Sequence, residues 1–228
     1  MPEDISKQIA NVLRLSKGDK IVVLDNSGVE YLVELDQLIK KAVAGRIVSR
    51  TTNGNEPSIK ITLYQSLLPR EKFEVVLQKG TEVGVCQFVP VETKRSLIKR
   101  SAFKNEKLER WQRIVTEASE QCERGIIPAV ETVLNFEEAV EQAAGQGVVL
   151  LAYEREQSLE LNQALDKIKD VENIAVMIGP EGGFEEGELE YARNKGVFLV
   201  SLGPRILRSE TAGIVAPALI LAELTRSN

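Results

Sequence analysis

The stretch that decides the fold is residues 171–213, VENIAVMIGPEGGFEEGELEYARNKGVFLVSLGPRILRSETAG. It contains two short apolar runs, 173–178 and 197–202, and each ends in Gly-Pro, where neither a helix nor a strand ladder continues. Between them, residues 184–195 begin with carboxylates and are closed by Gly196, which is typical of a helix. A strand, a helix and a second strand in this order form a parallel unit with a crevice at the carboxyl ends of its strands. The sequence therefore predicts a functional site in that crevice.

The rest of the chain predicts two domains. Before the polar loop 50–58, a hairpin around residues 25–28 and a strand at 44–49 indicate a small β-barrel that avoids exposed edges. After the loop, strands and helices alternate, which predicts an α/β domain around a parallel sheet. Its further strands are expected at 59–67, 86–91, 130–134 and 148–153, and its helices at 71–83, 105–124, from 136 and at 159–168.

The composition excludes several kinds of chemistry. The 228 residues include no histidine, which rules out Ser-His triads, imidazole bases and nearly every zinc site, so no metal is expected. The two cysteines, Cys86 and Cys122, lie far apart without partners at metal-binding spacing, which favours a reducing compartment. Residues 1–10 are acidic and polar, unlike a secretory signal, and no apolar run is long enough to span a bilayer. We therefore expect a cytoplasmic protein.

The charge of the chain is unevenly distributed. The total is −5, yet residues 94–113 carry eight basic side chains against two acidic ones. Such a segment can steer a polyanion to one face of an acidic protein. A solvated helix face explains the same pattern equally well.

Two polar motifs follow predicted strands. GPEGG, residues 179–183, lacks the Lys-Ser/Thr of a phosphate-binding loop and does not match GxGxxG, which disfavours a nucleotide-dependent oxidoreductase. A tight structural turn explains it as well as a ligand site does, although its small residues would let an adenine or ribose touch the backbone. LAYERE, residues 151–156, taken alone is explained by a surface turn.

The third motif is LGPRILRSETAG, residues 202–213. Ser209 is expected to cap the following helix, with Glu210 in its first turn. Capping does not explain Arg205 and Arg208, whose charges have the same sign as the helix N-terminus beside them. An anionic or polar substrate would reconcile these charges. Three polar strand ends in succession predict one shared pocket.

The last predicted helix, residues 209–224, is apolar on nearly all sides. Such a helix must be covered both by its own domain and by another subunit. Its apolar members are Ala212, Ile214, Val215, Ala216, Leu219, Ile220, Leu221 and Leu224.

These motifs together resemble the RsmE-type ribosomal RNA uridine-N3 methyltransferases of the SPOUT class. The resemblance covers the chain from about residue 12 to the C-terminus, in family order. The two glycine motifs are its most specific part. The segments that carry it are QKGTEVGV (78–85), PVETKRS (90–96), ERWQRIVTEASEQC (109–122), IGPEGGF (178–184) and LGPRILRSETA (202–212).

The resemblance implies a fold and a set of ligands. Residues 1–57 would form a PUA-like RNA-binding barrel, and residues 58–228 a SPOUT methyltransferase domain with a C-terminal trefoil knot, assembled as a homodimer. Periodicity alone reveals no knot, since knots are nearly absent from proteins. The cofactor would be S-adenosylmethionine (AdoMet), held by Leu151, Ala152, Tyr153, Glu154, Ile178, Gly179, Pro180, Glu181, Gly182, Gly183, Leu202, Gly203, Ile206, Leu207, Thr211 and Ala212.

The implied reaction is methylation of N3 of a uridine in 16S ribosomal RNA. Arg208 is expected to stabilise charge on the uracil oxygens, and Glu210 to remove the N3 proton or to orient Arg208. RNA would be held by Arg14, Lys79, Lys94, Arg95, Lys99, Arg100 and Arg205. The alternatives are a non-catalytic RNA-binding factor in ribosome assembly and a SPOUT enzyme that acts on another RNA position.

Overall fold

A computed structural model describes residues 6, 9, 13, 15–39, 42–103, 105–168 and 171–226. The chain divides into two units. The smaller unit holds the described residues up to Glu56 together with Glu123–Ile126, and the larger holds Pro57–Cys122 and the described residues from Ile127 onward. Arg14 lies outside the described residues.

The smaller unit contains a three-stranded antiparallel sheet in the order β1-β2-β3. The turn between the first two strands places Asn26 and Gly28 at positive φ, 66° and 79°, as tight hairpin turns require. The backbone N–H of Ser27 donates to the Asp25 carboxylate at 3.1 Å, which fixes the turn. The predicted hairpin is confirmed, and the strands are β1 (Lys20–Leu24), β2 (Val29–Ile39) and β3 (Ala42–Thr52).

Side-chain hydrogen bonds attach residues 123–126 to this smaller unit. Asn53 Nδ2 donates to the Glu123 carbonyl at 3.0 Å. The buried guanidinium of Arg124 pairs with Glu56, with 2.8 Å between Nη2 and Oε2. A segment far along the chain thus completes a unit that is otherwise formed by the N-terminal residues.

The larger unit is organised around a parallel sheet. In the described part of this unit, seven strands follow the order β10-β8-β9-β4-β5-β6, with β7 also pairing with β5. Every pair is parallel, so all the strands end at the same edge. The strands are β4 (Lys60–Ser66), β5 (Val85–Glu92), β6 (Ala129–Val130), β7 (Leu134–Asn135), β8 (Val148–Ala152), β9 (Asn173–Ile178) and β10 (Phe198–Val200).

Helices cover both faces of this sheet. One buried cluster includes Phe73, Trp111 and Ile220, and the other includes Phe136 and Leu189, so apolar side chains fill two layers on either side of the strands. The predicted α/β class with a parallel sheet is confirmed. The helices are α1 (Arg70–Val83), α2 (Asn105–Gln121), α3 (Phe136–Ala144), α4 (Leu161–Asp166), α5 (Glu186–Asn194) and α6 (Ser209–Arg226).

The single strand predicted at 130–134 is wrong. Two strands of two residues each take its place, and both pair with β5 at the side of the sheet. Within β6, at the end of the strand order, the Val130 N–H donates to Gln112 Oε1 at 3.1 Å. A polar side chain on α2 thus satisfies a backbone group of this short strand, and periodicity does not reveal such a contact.

The helix predicted at 71–83 is confirmed as α1. A glycine weakens the interior of a helix, but packing explains Gly80 in α1, because a Cβ there would lie 2.8 Å from the Phe88 ring. The helix expected from residue 184 begins two residues later, because Glu185 and Glu188 form a capping box that fixes its start. Within the part of the chain that is described, no helix is long and apolar enough to cross a membrane.

Candidate active site

A pocket lies at the carboxyl ends of β8, β9 and β10, which are neighbours in the sheet. Its volume is about 470 Å³, within the range of sites for ligands of cofactor size. The three loops that follow these strands form most of the wall, and α1 adds one side chain. The lining residues are Lys72, Ala152, Tyr153, Glu154, Arg155, Ile178, Gly179, Pro180, Glu181, Gly183, Phe184, Ser201, Leu202, Gly203, Arg205, Ile206, Leu207, Arg208, Ser209 and Ala212.

The glycine loop, residues 179–183, needs its small residues for close approach. Gly183 has φ +67°, and a Cβ there would lie 2.9 Å from Oε1 of Glu154. A Cβ on Gly179 would lie 2.9 Å from the ring of Phe184. The loop is therefore a tight turn that also leaves backbone atoms exposed to a ligand, so the two explanations of this motif are compatible.

A lysine from α1 links the glycine loop to α6. Lys72 Nζ lies 2.6 Å from Glu181 Oε1 and 3.9 Å from Glu210 Oε1. The hydrogen bond with Glu181 raises the pKa of Lys72, so the side chain is a cation at neutral pH. The other oxygen of Glu210 is buried, and among the described residues it has no hydrogen-bond partner. Glu210 is therefore a carboxylate beside the pocket that is only partly compensated by the protein.

The expectation that Ser209 caps α6 is wrong. Ser209 is already the first residue of the helix, and the Ala212 N–H donates to the carbonyl of Arg208 at 2.8 Å, which puts Arg208 at the cap position. The Ser209 hydroxyl donates to the carbonyl of Gly179. It also accepts a hydrogen bond from Nε2 of Gln65 at 2.9 Å. Spacing alone could not show this, since both partners are distant in sequence.

The loop after β5 is attached to the glycine loop and α5. The backbone N–H of Lys94 donates to the buried Glu188 carboxylate at 2.9 Å. Arg95 Nη1 donates to the carbonyl of Gly182 at 3.0 Å. These contacts place two of the predicted RNA-binding residues beside the wall of the pocket.

Much of the positive charge between residues 94 and 113 is paired. Lys99 lies 3.4 Å from Glu92, Arg100 lies 2.9 Å from Glu138, and Arg110 lies 2.7 Å from Glu74. The carboxylate partners come from outside the segment, so the sequence count overstates its free charge. Both explanations of the segment, a basic patch and a solvated face, apply to different residues within it.

The remaining predicted residues occupy different positions. Arg205 and Arg208 line the pocket, as do most of the residues predicted to hold the cofactor. Lys79 pairs with Glu82 at 2.8 Å on α1, about 10 Å along the helix axis from Lys72. Four residues lie next to the pocket wall rather than in it: Leu151, Gly182, Glu210 and Thr211.

The prediction missed several residues of the pocket wall. Arg155 and Phe184 directly follow predicted loop residues, so extending each motif by one position would have found them. Lys72 offered no such signal, because it reaches the pocket through the packing of α1. The residues missed are Lys72, Arg155, Phe184, Ser201 and Ser209.

The described residues of its own unit leave one side of α6 uncovered. Ala216 and Ile220 are buried, whereas Leu219 is 44% exposed and Ile214 and Val215 are half-buried. The sequence predicted that both sides of α6 are apolar and need to be covered. Within the single chain, the described residues cover only one of these sides.

Comparisons with known proteins agree with this geometry. A family model described as an RNA methyltransferase domain matches residues 55–221, and one described as an RNA methyltransferase PUA domain matches residues 3–48. The chain is 40% identical over 217 residues to ribosomal RNA small subunit methyltransferase E of Synechocystis, covering 95% of this chain and 70% of that protein. The Bacillus subtilis protein of the same name is 32% identical over 213 residues, covering 91% of this chain and 83% of that protein.

A solved structure extends the similarity to the fold. Ribosomal RNA small subunit methyltransferase E from Neisseria gonorrhoeae, bound to S-adenosyl methionine, superimposes with a TM-score of 0.86 at 31% identity, covering 97% of this chain and 90% of that one. The resemblance predicted from the glycine motifs is thereby confirmed. This chain belongs to the family of ribosomal RNA small subunit methyltransferase E, the RsmE family.

Proposed function

We propose that this protein transfers the methyl group of AdoMet to N3 of a uridine in 16S ribosomal RNA. The observation that carries the proposal is the convergence of three loops, after β8, β9 and β10, on one pocket that Arg208 also lines. Family membership supports AdoMet-dependent methylation of ribosomal RNA, and the arginines of the pocket support a base whose oxygens become negatively charged.

The residues present fit AdoMet. The pocket offers apolar side chains such as Ile178 and Leu207, together with backbone groups of the glycine loop, and this combination suits an adenine and a ribose. Glu154, Glu181 and the partly compensated Glu210 provide negative charge for a ligand that carries a positive one. When bound, AdoMet supplies an activated methyl group, so the protein mainly has to hold the two reactants in line.

Arg208 is the residue that we assign to the transition state. Loss of the N3 proton places negative charge on uracil O2 and O4, and a guanidinium at the N-terminus of α6 stabilises that charge. The side chain is exposed and lines the pocket, where a base can approach it. Glu210, one residue from Ser209 in the same helical turn, would accept the proton or orient Arg208.

N3 lies on the Watson–Crick edge, so the uridine must be unpaired or flipped out to reach the pocket. The loop that carries Lys94 and Arg95 is attached to the glycine loop and is suited to hold the RNA backbone near the pocket. Arg205 lies in the wall itself. Lys99 and Arg100, which pair with Glu92 and Glu138, would lie at the outer part of the same surface and contribute less to RNA binding.

The finer architecture is part of the proposal. The match to a PUA domain over residues 3–48 supports an RNA-binding barrel in a domain of residues 1–57, with the methyltransferase domain from 58 to 228. Membership of the family supports a trefoil knot that includes α6. The exposed Leu219 on α6 supports a homodimer that covers this face, and the substrate supports a cytoplasmic location.

The test uses the purified protein, labelled AdoMet and either 16S ribosomal RNA or small subunits from cells that lack the enzyme. Digestion to nucleosides and mass spectrometry should show labelled 3-methyluridine. Detection of a different methylated nucleoside would show that the enzyme methylates another position than the one that we propose. Calorimetry distinguishes the non-catalytic alternative, because an assembly factor with a degenerate pocket would not bind AdoMet, whereas the enzyme should bind it in about the micromolar range.

A further inference from the structure

Gln65 is a buried amide in a row of apolar side chains. It follows Ile61 and Leu63 on the face of β4 that α1 and α6 cover, and its exposed fraction is 0%. Burial of an amide is unfavourable unless its polar atoms form hydrogen bonds. Filling the core therefore does not by itself explain why an amide side chain stands at position 65.

Its partners join two parts of the pocket wall. Gln65 pairs in register with Ile178, the residue before Gly179. Its Nε2 donates to the Ser209 hydroxyl at 2.9 Å, and that hydroxyl donates to the carbonyl of Gly179. The chain of hydrogen bonds thus runs from β4 through the first residue of α6 to the start of the glycine loop.

The hydrogen bonds from Gln65 through Ser209 to Gly179 can run in only one direction. An amide nitrogen only donates and a carbonyl oxygen only accepts, so the Ser209 hydroxyl must receive the first hydrogen bond and give its only proton to the second. Gln65 therefore sets the direction of the Ser209 hydroxyl. Consecutive bonds of this kind in a buried site also strengthen one another.

A glycine in α6 makes room for this amide. A Cβ on Gly213 would lie 2.3 Å from Oε1 of Gln65, closer than any real contact. Glycine inside a helix is unfavourable by about 1 kcal/mol relative to alanine, so its presence here fits a packing requirement. Gln65, Ser209 and Gly213 are thus mutually adapted across β4 and α6.

We infer that Gln65 is a positioning residue for methyl transfer, acting through Ser209 to hold Gly179 and the first turn of α6 in one arrangement. Ser209 lies between Arg208 and Glu210, which act on the base, while Gly179 begins the loop that holds the methyl donor. The hydrogen-bond chain therefore determines how the two reactants meet. This inference rests on the proposed function and names a residue that the proposal does not use.

The experiment is a double-mutant cycle on the single-turnover rate at saturating AdoMet, with the full chain and ribosomal RNA as substrate. Gln65→Met keeps the size of the side chain and removes the donor, and Ser209→Ala removes the hydroxyl. Misplacement by about 1 Å can lower a rate about 100-fold, so each variant should lose about 10- to 100-fold. The double variant should be no slower than the slower single variant, because both changes break the same chain.

Ser119→Ala is the matched control. Ser119 is a buried serine on α2 whose hydroxyl donates to the Val115 carbonyl at 2.8 Å, away from the pocket wall. It should lower the melting temperature about as much as Ser209→Ala while leaving the rate within about twofold of wild type. Ser209→Thr, which keeps a hydroxyl, should restore most of the rate.

Rates that fall no further than in Ser119→Ala, or losses that multiply in the double variant, would overturn the inference. Where Gln65→Met gives little folded protein, Gly213→Ala replaces it, since the added methyl displaces Gln65 Oε1. Wild-type protein that methylates no ribosomal RNA would contradict the proposed function instead. In that case the AdoMet affinities of the same variants decide the inference. The double variant must then bind AdoMet no more weakly than the weaker-binding single variant.

Discussion

Two groups of basic side chains in the larger unit differ in their surroundings. Arg205 and Arg208 line the pocket, and among the described residues neither forms an ion pair with a carboxylate. Arg100 and Arg110, in the segment that looked most basic in the sequence, both have carboxylate partners within 3 Å. A cation that the protein leaves unpaired at a pocket is available to a ligand, whereas a paired one mainly serves the fold. The count of charges along the chain does not make this distinction.

The strongest test of the comparison is Arg208→Ala. Removal of a single group that stabilises transition-state charge lowers kcat by about 100- to 1,000-fold, and we expect a loss of at least that size. AdoMet affinity, measured by calorimetry, should change by much less, because the apolar and backbone contacts of the pocket remain. Turnover close to wild type would contradict the role of Arg208.

Arg205→Ala should act on RNA rather than on the chemical step. Loss of one phosphate contact lowers the slope of log affinity against log salt concentration by about 1 and weakens binding to RNA of any sequence. Arg100→Ala is the matched control, since its guanidinium already pairs with Glu138 and should release fewer counterions. Filter binding over a range of salt concentrations measures both slopes. Equal slopes for the two variants would remove the distinction between paired and unpaired arginines.

Lys72→Met tests the cation of the pocket wall that forms an ion pair with a carboxylate. The variant breaks the contact of 2.6 Å with Glu181 and should loosen the glycine loop. A partly exposed ion pair contributes up to about 1 kcal/mol, so AdoMet binding should weaken by about fivefold at most. Lys79→Met, on the same helix and paired only with Glu82, is the control and should bind AdoMet as wild type does. Calorimetry that shows the same affinity for both variants would exclude a role for Lys72 in the loop.

The sequence predicted the parts of the site that depend on local pattern. The strand 173–178 was readable because Gly-Pro interrupts its apolar run, and the three polar strand ends were readable because glycines or charged side chains follow each apolar run. The place of Lys72 in the pocket and the contact of Gln65 with Ser209 were not readable, since both arise only through the packing of α1 and β4 against α6. The role of Ser209 was misread for the same reason: a serine before a helix usually caps it, and the competing carbonyl of Gly179 is thirty positions away. The resemblance to a family supplied the cofactor, which no spacing could identify.

The smallest expected effect concerns a pair that serves the fold. Hydrogen bonds from Arg110 lower the pKa of Glu74 to about 2, from an ordinary value of 4.5. Because the folded-state pKa lies below the unfolded one, the stabilisation is fully present above about pH 5 and is lost as the pH falls toward 2. Glu74→Gln should therefore reduce the free energy of unfolding at pH 7 by about 1 kcal/mol or less, and by progressively less toward pH 3. Urea denaturation at the two pH values measures this difference, with Glu82→Gln as the control for a pair within one helical turn. A gap between wild type and Glu74→Gln that stays constant with pH would show that the Arg110 contact does not stabilise the charged carboxylate, and that pairing in this segment is incidental to the fold.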